Sequence, residues 1–357
     1  MSQRMLAGIL AVPLILALWV AALWLPLPYV TYQPGLTVDV LGQDQDQEII
    51  QVTGHKTFRD DGELRMTTVY VSQPGARINL FEVMSAWLSK EDAVYPYDVV
   101  YQPEETAEDS ELESAVQMTS SQDEATAVAL RELGYHPKPV TKVQNVGADT
   151  PADGGLKVGD VLLQVGSTPI TAAEDVGTAV RGSTPGKPLK FKIERDGKPL
   201  DVSITPKSVD GVTRVGIVPG PGFTFPFDVH VNIDPDIGGP SAGLMFSLAI
   251  YDTLTPGSLT GDEVVAGTGT IRDDGSVGPI GGIQQKIVSA RDDGAQLFLV
   301  PPDNCADALG APNEDMRLVR ADTMHDAVEA IEAWVKDPDA SLPSCTPTAD
   351  AAAGANR

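Results

Sequence analysis

At 357 residues, with 42% apolar and 6% aromatic side chains, the chain is long enough for two or three domains that each bury a core. Fifty acidic residues against 25 basic ones leave a formal charge of −25. A chain that acidic, with no basic stripe, repels a polyanion, which excludes nucleic acid as a partner.

The chain opens on MLAGILAVPLILALWVAALWL, from Met5 to Leu25, and no charged residue falls between Arg4 and Asp39. About 20 apolar residues in a row predict a transmembrane helix, and Pro13 is tolerable in one. The bulky residues after Ala21-Ala22 argue against a cleaved signal peptide, which would end in a small-x-small site. The expectation is a single-pass membrane anchor over residues 5–25. Residues 1–4 then form a cytoplasmic stub, and Arg4 favours the N-terminus inside, with the body extracytoplasmic. Cys305 and Cys345, the two cysteines, suit such an oxidising compartment whether bridged or free.

PLPYVTYQPG follows as an extended exit from this segment. Residues 36–80 alternate as strands do, clearest in LRMTTVYVS, with a turn at Gln73-Pro74-Gly75. Residues 81–130 have helical spacing, with Leu112, Val116 and Leu130 on one side and acids such as Glu104, Glu108 and Glu111 exposed. Together residues 30–130 predict a mixed α+β region without a cofactor motif.

From 134 to 206 short β-type runs alternate with glycine-rich turns, a helix-like stretch runs from Ala172 to Arg181, and the strands PLKFKIERDG and LDVSITP follow. Gly155-Leu156, Gly159-Asp160-Val161-Leu162, Val165-Gly166 and Ile170 give this segment a resemblance to a PDZ domain. The resemblance implies capture of an extended protein or peptide segment along a sheet edge; a plain β spacer is the alternative. The carboxylate-binding loop of such domains would fall near Tyr135 to Val140, where Pro137 and Pro139 remove backbone donors and prevent an assignment.

Residues 212–336 carry the chemistry. In FPFDVHVNIDPDIGGPSAGLMFSLAIYDTL a strand-like run and a glycine-rich turn precede an amphipathic helix, with Ser241 at the turn. Backbone N–H groups at a helix start lack intrahelical partners and suit a developing oxyanion. Gly238, Gly239 and the N–H of Ser241 are the candidate donors; a serine serving only as helix N-cap is the bland alternative. Lys286 follows Gly281-Gly282 among Ile287, Val288 and Ala290. Buried beside Ser241, its charged form would be disfavoured, and the neutral amine would take the serine proton.

Gly239-Pro240-Ser241-Ala242-Gly243, Thr268-Gly269, Gly278-Pro279-Ile280-Gly281-Gly282 through Lys286, Ala290, Gly294 and Val300-Pro301…Asn304 together resemble the proteolytic domain of the Lon peptidase family. That resemblance implies Ser241 as nucleophile, Lys286 as general base and Thr268 as the residue orienting the lysine amine. Many members carry an acid where this chain has Gly238, so the dyad is expected to work without one. Thr268-Gly269-Thr270 stands where Thr-Gly-Glu is usual.

No G-x-x-x-x-G-K-[ST] phosphate loop occurs, so no ATP-driven unfolding is expected of this polypeptide. The expected whole is a multidomain α/β (α+β) protein: transmembrane helix, mixed N-terminal region, PDZ-like β-domain, Lon-type domain and a flexible tail at 337–357. It resembles the membrane-bound, ATP-independent PDZ–Lon-like peptidases, acting on envelope or membrane proteins. Lon-type domains often form rings, which makes a homo-oligomer plausible.

Two other readings stay open. Gly-Pro-Ser-Ala-Gly also satisfies the G-x-S-x-G elbow of α/β-hydrolases, with His325 as the base of an esterase. Alternatively the chain is a catalytically silent PDZ scaffold. His55, His136 and His230 have no metal-ligand spacing, and the two cysteines do not make a zinc site. No metal and no cofactor are expected.

Overall fold

The structure is a computed structural model that describes residues 3–44 and 46–345. Most of the expected tail, 346–357, and the first two residues of the expected 1–4 stub lie outside the described residues.

The N-terminal third supplies helix α1 (Gln3–Trp24), strands β1 (Tyr29–Asp39), β2 (Ile50–Thr53) and β3 (Glu63–Val71), helix α2 (Leu80–Leu88), strand β4 (Ala93–Pro96) and the 26-residue helix α3 (Ala107–Glu132). The helical pattern expected over 81–130 is interrupted between α2 and α3. Pro96 and Pro103 lie there, and the β-type run Ala93-Val94-Tyr95 pairs with β1 instead. Both flanking helices carry capping boxes, Asn79 with Glu82 and Thr106 with Asp109.

Helix α1 was expected to span a membrane, yet among the described residues no helix is long and apolar enough to do so. Trp19 packs on Phe81 of α2, ring centroids 5.1 Å apart. This overturns the anchor at 5–25, and with it the inside N-terminus and the membrane localisation.

The middle of the chain forms a second sheet. Its elements are β5 (Lys138–Val146), β6 (Val161–Val165), helix α4 (Ala173–Arg181), β7 (Leu189–Arg195), β8 (Lys198–Ile204) and β9 (Ile217–Thr224), in the order β8-β7-β6-β5-β9. Asp196 and Gly197, both at positive φ, close the β7–β8 hairpin as a two-residue turn of the kind that matches strand twist. Leu162, Val165, Val176, Phe191 and Ile193 fill its core. The edge strand β9 holds Pro219 and Pro221, residues tolerated at an edge because no further strand needs their missing N–H.

The remainder comprises β10 (Asp228–Val231), α5 (Gly243–Leu254), β11 (Val264–Gly267), α6 (Ile283–Asp292), β12 (Leu297–Val300), β13 (Arg317–Arg320) and α7 (Met324–Lys336). The larger sheet runs β13-β12-β11-β3-β1-β4, parallel from β13 to β3 and antiparallel beyond. Strands from both ends of the chain thus share one sheet, and the smaller sheet is spliced between them. One core follows: Leu64, Met66, Ala125 and Val128 from the first third pack with Leu244, Phe246, Val265, Leu299 and Ile331. Cys305 and Cys345 are disulfide-bonded and tie the segment after α7 to the body.

Candidate active site

Four segments meet at the start of α5. Ser241 lies in the turn before the helix, whose N-cap residue is Ala242. Lys286 projects from α6, which Gly282 opens in the left-handed conformation at φ 69°. Thr268 follows β11, and Thr67 stands on β3 beside it. Lys286 is 2% exposed, and Thr67 and Thr268 are equally enclosed.

The amine Nζ of Lys286 is 2.7 Å from Ser241 Oγ, 3.1 Å from Thr268 Oγ1 and 2.9 Å from the Thr67 carbonyl oxygen. Counting protons orients it. The Thr67 carbonyl can only accept. The Thr268 hydroxyl donates to the Ser241 carbonyl at 3.0 Å, so it accepts from the amine. A neutral amine has two N–H groups, which these acceptors take; its lone pair is left for Ser241 Oγ. The same threonine therefore fixes both the amine and the backbone that carries the Ser241 hydroxyl. The N–H of Gly269 also donates to the Ser241 carbonyl, at 2.8 Å.

Burial alone lowers the Lys286 amine from 10.5 to about 7, with no carboxylate contributing. Gly238 stands where an acid would have opposed that effect. A Cβ there would lie 2.7 Å from Ser114 Cβ of α3, so glycine serves close packing.

One of the expected oxyanion donors is already engaged. The N–H of Gly239 donates to the Ser114 carbonyl at 3.0 Å and is not free in this structure. Ser121 Oγ, also on α3, donates to the Pro240 carbonyl at 3.1 Å. Sequence reasoning passed over Ser114 and Ser121 within an acidic helix, and passed over Thr67, whose contribution is a backbone carbonyl. Carbonyls leave no residue signature. His325, the base of the esterase reading, sits on the surface at the start of α7, its Nδ1 2.7 Å from Glu132 Oε1.

A second feature lies on the smaller sheet. A groove of about 680 Å³ runs between α4 and the segment entering β9, lined by Val176, Val180, Val215 and Ile217, and closed at one side by Leu112 of α3. None of Tyr135 to Val140, where the sequence placed the candidate loop, lines it.

Residues 116–205 match the PDZ domain family, and residues 224–334 match the Lon protease (S16) C-terminal proteolytic domain. The Lon protease of Phenylobacterium zucineum is 32% identical over 109 residues, 29% of this chain and 14% of that protein. The regulator of sigma-E protease of Salmonella typhimurium is 38% identical over 103 residues, 28% of this chain and 22% of that protein. A putative zinc metalloprotease of Lactococcus lactis is 40% identical over 86 residues, 24% of this chain and 20% of that protein. The chain thus spans less than a quarter of the length of these relatives. Among solved structures, the PDZ domain of an SdrC-like protein from Listeria innocua is 23% identical, with a TM-score of 0.21, over 22% of this chain and 92% of that one. By its two family matches, the chain joins a PDZ domain to a Lon-type serine endopeptidase domain.

Proposed function

We propose that the protein is a serine endopeptidase that works through a Ser241–Lys286 dyad without ATP, on protein segments that are already flexible. The observation that carries this reading is the 2.7 Å contact between Ser241 Oγ and the buried, acceptor-facing amine of Lys286.

In the proposed reaction Ser241 Oγ attacks the substrate carbonyl carbon while its proton passes to Lys286 Nζ. The tetrahedral oxyanion is held by backbone N–H groups of the 238–241 turn. Lys286 then gives its proton to the leaving amine as the C–N bond breaks, and an acyl-enzyme remains on Ser241. Water attacks the ester, Lys286 takes the water proton and returns it to Ser241 Oγ, and the acid product leaves. Thr268 keeps the amine aimed throughout, as a positioning residue.

The PDZ groove is the proposed capture site. Among the described residues the outer edge of β9 has no partner strand in its sheet, and an extended peptide can add to it ahead of Pro219, where the next donor is missing. Apolar lining by Val176, Val180 and Ile217 favours apolar side chains on alternate residues of that peptide.

The test is cleavage of unfolded casein by the wild-type chain and by Ser241→Ala, Lys286→Ala and His325→Ala. Loss in the first two alone supports the dyad. Loss in His325→Ala, with Lys286→Ala active, would favour the hydrolase elbow, and casein intact with every chain would favour a silent scaffold.

A further inference from the structure

Helix α3 touches both halves of the molecule. At Leu112 it closes the PDZ groove. Two residues on, the Ser114 carbonyl holds the Gly239 N–H, and the Ser114 side chain lies against Gly238 so closely that a Cβ on that glycine would be 2.7 Å away. Ser121 holds the Pro240 carbonyl, next to the nucleophile. Asp123 then ties the helix to the PDZ sheet: its carboxylate accepts from Lys142 Nζ on β5 at 2.6 Å and from the Phe223 N–H on β9 at 2.7 Å. The first turns of α3 are exposed or half-buried, and its full burial begins only at Met118. Its Leu112–Ser114 stretch is therefore the less buried part, tied to the turn by Ser114 alone, while Ser121 and Asp123 are held by the bonds above.

We propose that α3 couples the PDZ groove to the nucleophile turn: a peptide seated on β9 displaces Leu112, draws Ser114 from Gly239 and frees that N–H to serve as an oxyanion donor. The present arrangement is the latched one, with the donor spent on Ser114. Occupancy of the groove is linked to the released turn because the peptide and the latched position of Leu112 compete for the same wall of the groove, which gives the two states different affinities for the peptide. By reciprocity, a released turn binds peptide more tightly. A single oxyanion donor is worth about 100- to 1,000-fold in rate, so the latch is large enough to hold an unoccupied enzyme nearly silent. The link to rate rests on the dyad proposed above; the movement itself does not.

The experiment separates the two. The full-length Ser241→Ala chain, which cannot cleave its ligand, is mixed with a random decapeptide library bearing free C-termini at millimolar total concentration. Amide hydrogen exchange is then read at β9 and at Gly239. The expected result is slowed exchange at Ile217 and Val218 together with at least about five-fold faster exchange at Gly239, the lower end of ordinary coupling factors. Leu112→Ala in the same background should keep the protection at β9 and lose the response at Gly239. No protection at β9, or protection with Gly239 unchanged, would overturn the coupling, as would a full Gly239 response in Leu112→Ala. None of these outcomes bears on whether Ser241 and Lys286 cleave casein.

Discussion

Lys286 makes a prediction in two observables at once. The amine falls from 10.5 to about 7 because burial disfavours its charge. At pH 8 a group titrating near 7 is about 90% neutral, whereas at 10.5 it would be about 0.3% neutral. Burial thus raises the population of the base some 300-fold. Activity against casein or a fluorogenic peptide should rise as a single ionisation centred at about 7 and level off above pH 8. Stability must follow the same group. Between about 7 and 10.5 the unfolded chain holds a proton at position 286 that the native chain has released. The unfolded state therefore binds more protons, and stability rises with pH across that window. The slope is about 1.4 kcal/mol per pH unit, or roughly 2.7 kcal/mol between pH 7.5 and 9.5. Urea unfolding of the wild-type chain and of Lys286→Met at those two values isolates the term, because the other titrating groups are common to both. Wild type should gain about 2.7 kcal/mol on Lys286→Met over that interval. Parallel curves for the two proteins, or an activity midpoint near 10, would refute the claim that the amine is held neutral.

Thr268→Val removes both the acceptor for the amine and the donor to the Ser241 carbonyl, and should lower kcat at least about ten-fold; Thr268→Ser should restore most of it, so equal loss in both would point to packing. Gly282→Ala places a Cβ 2.7 Å from Val69 Cγ1 in a left-handed conformation and should cost about 1–3 kcal/mol in chemical denaturation. An unchanged midpoint would mean that α6 starts elsewhere in solution. Reducing the Cys305–Cys345 bond, or Cys345→Ser, should lower stability by about 2–4 kcal/mol for a separation of 40 residues. Casein cleavage at low temperature should persist, since neither sulfur lies at the dyad; loss of cleavage with the fold intact would contradict that separation.

Two short stretches of sequence carried most of the site. Ser241 in a glycine-rich turn before a helix, and Lys286 among apolar neighbours after Gly281-Gly282, were legible because a reactive group needs an exceptional backbone and a desolvated setting, and both leave residue patterns. Helix α4 was legible for the same local reason, since helical periodicity acts over a few residues, whereas the turn at Asp196-Gly197 lay inside a run read as strand. The N-terminal apolar run was expected to cross a bilayer, and no helix among the described residues is long and apolar enough to do so.

The sequence by itself determined local elements and singled out the side chains proposed to react, because propensity and residue chemistry are short-range. Only the tertiary structure decided that β1 and β3 complete the sheet of the proteolytic domain, that a backbone carbonyl on β3 takes one amine proton, and that α3 holds the nucleophile turn. Those contacts join residues more than a hundred positions apart through backbone groups common to every amino acid, so nothing in the one-dimensional pattern marks them.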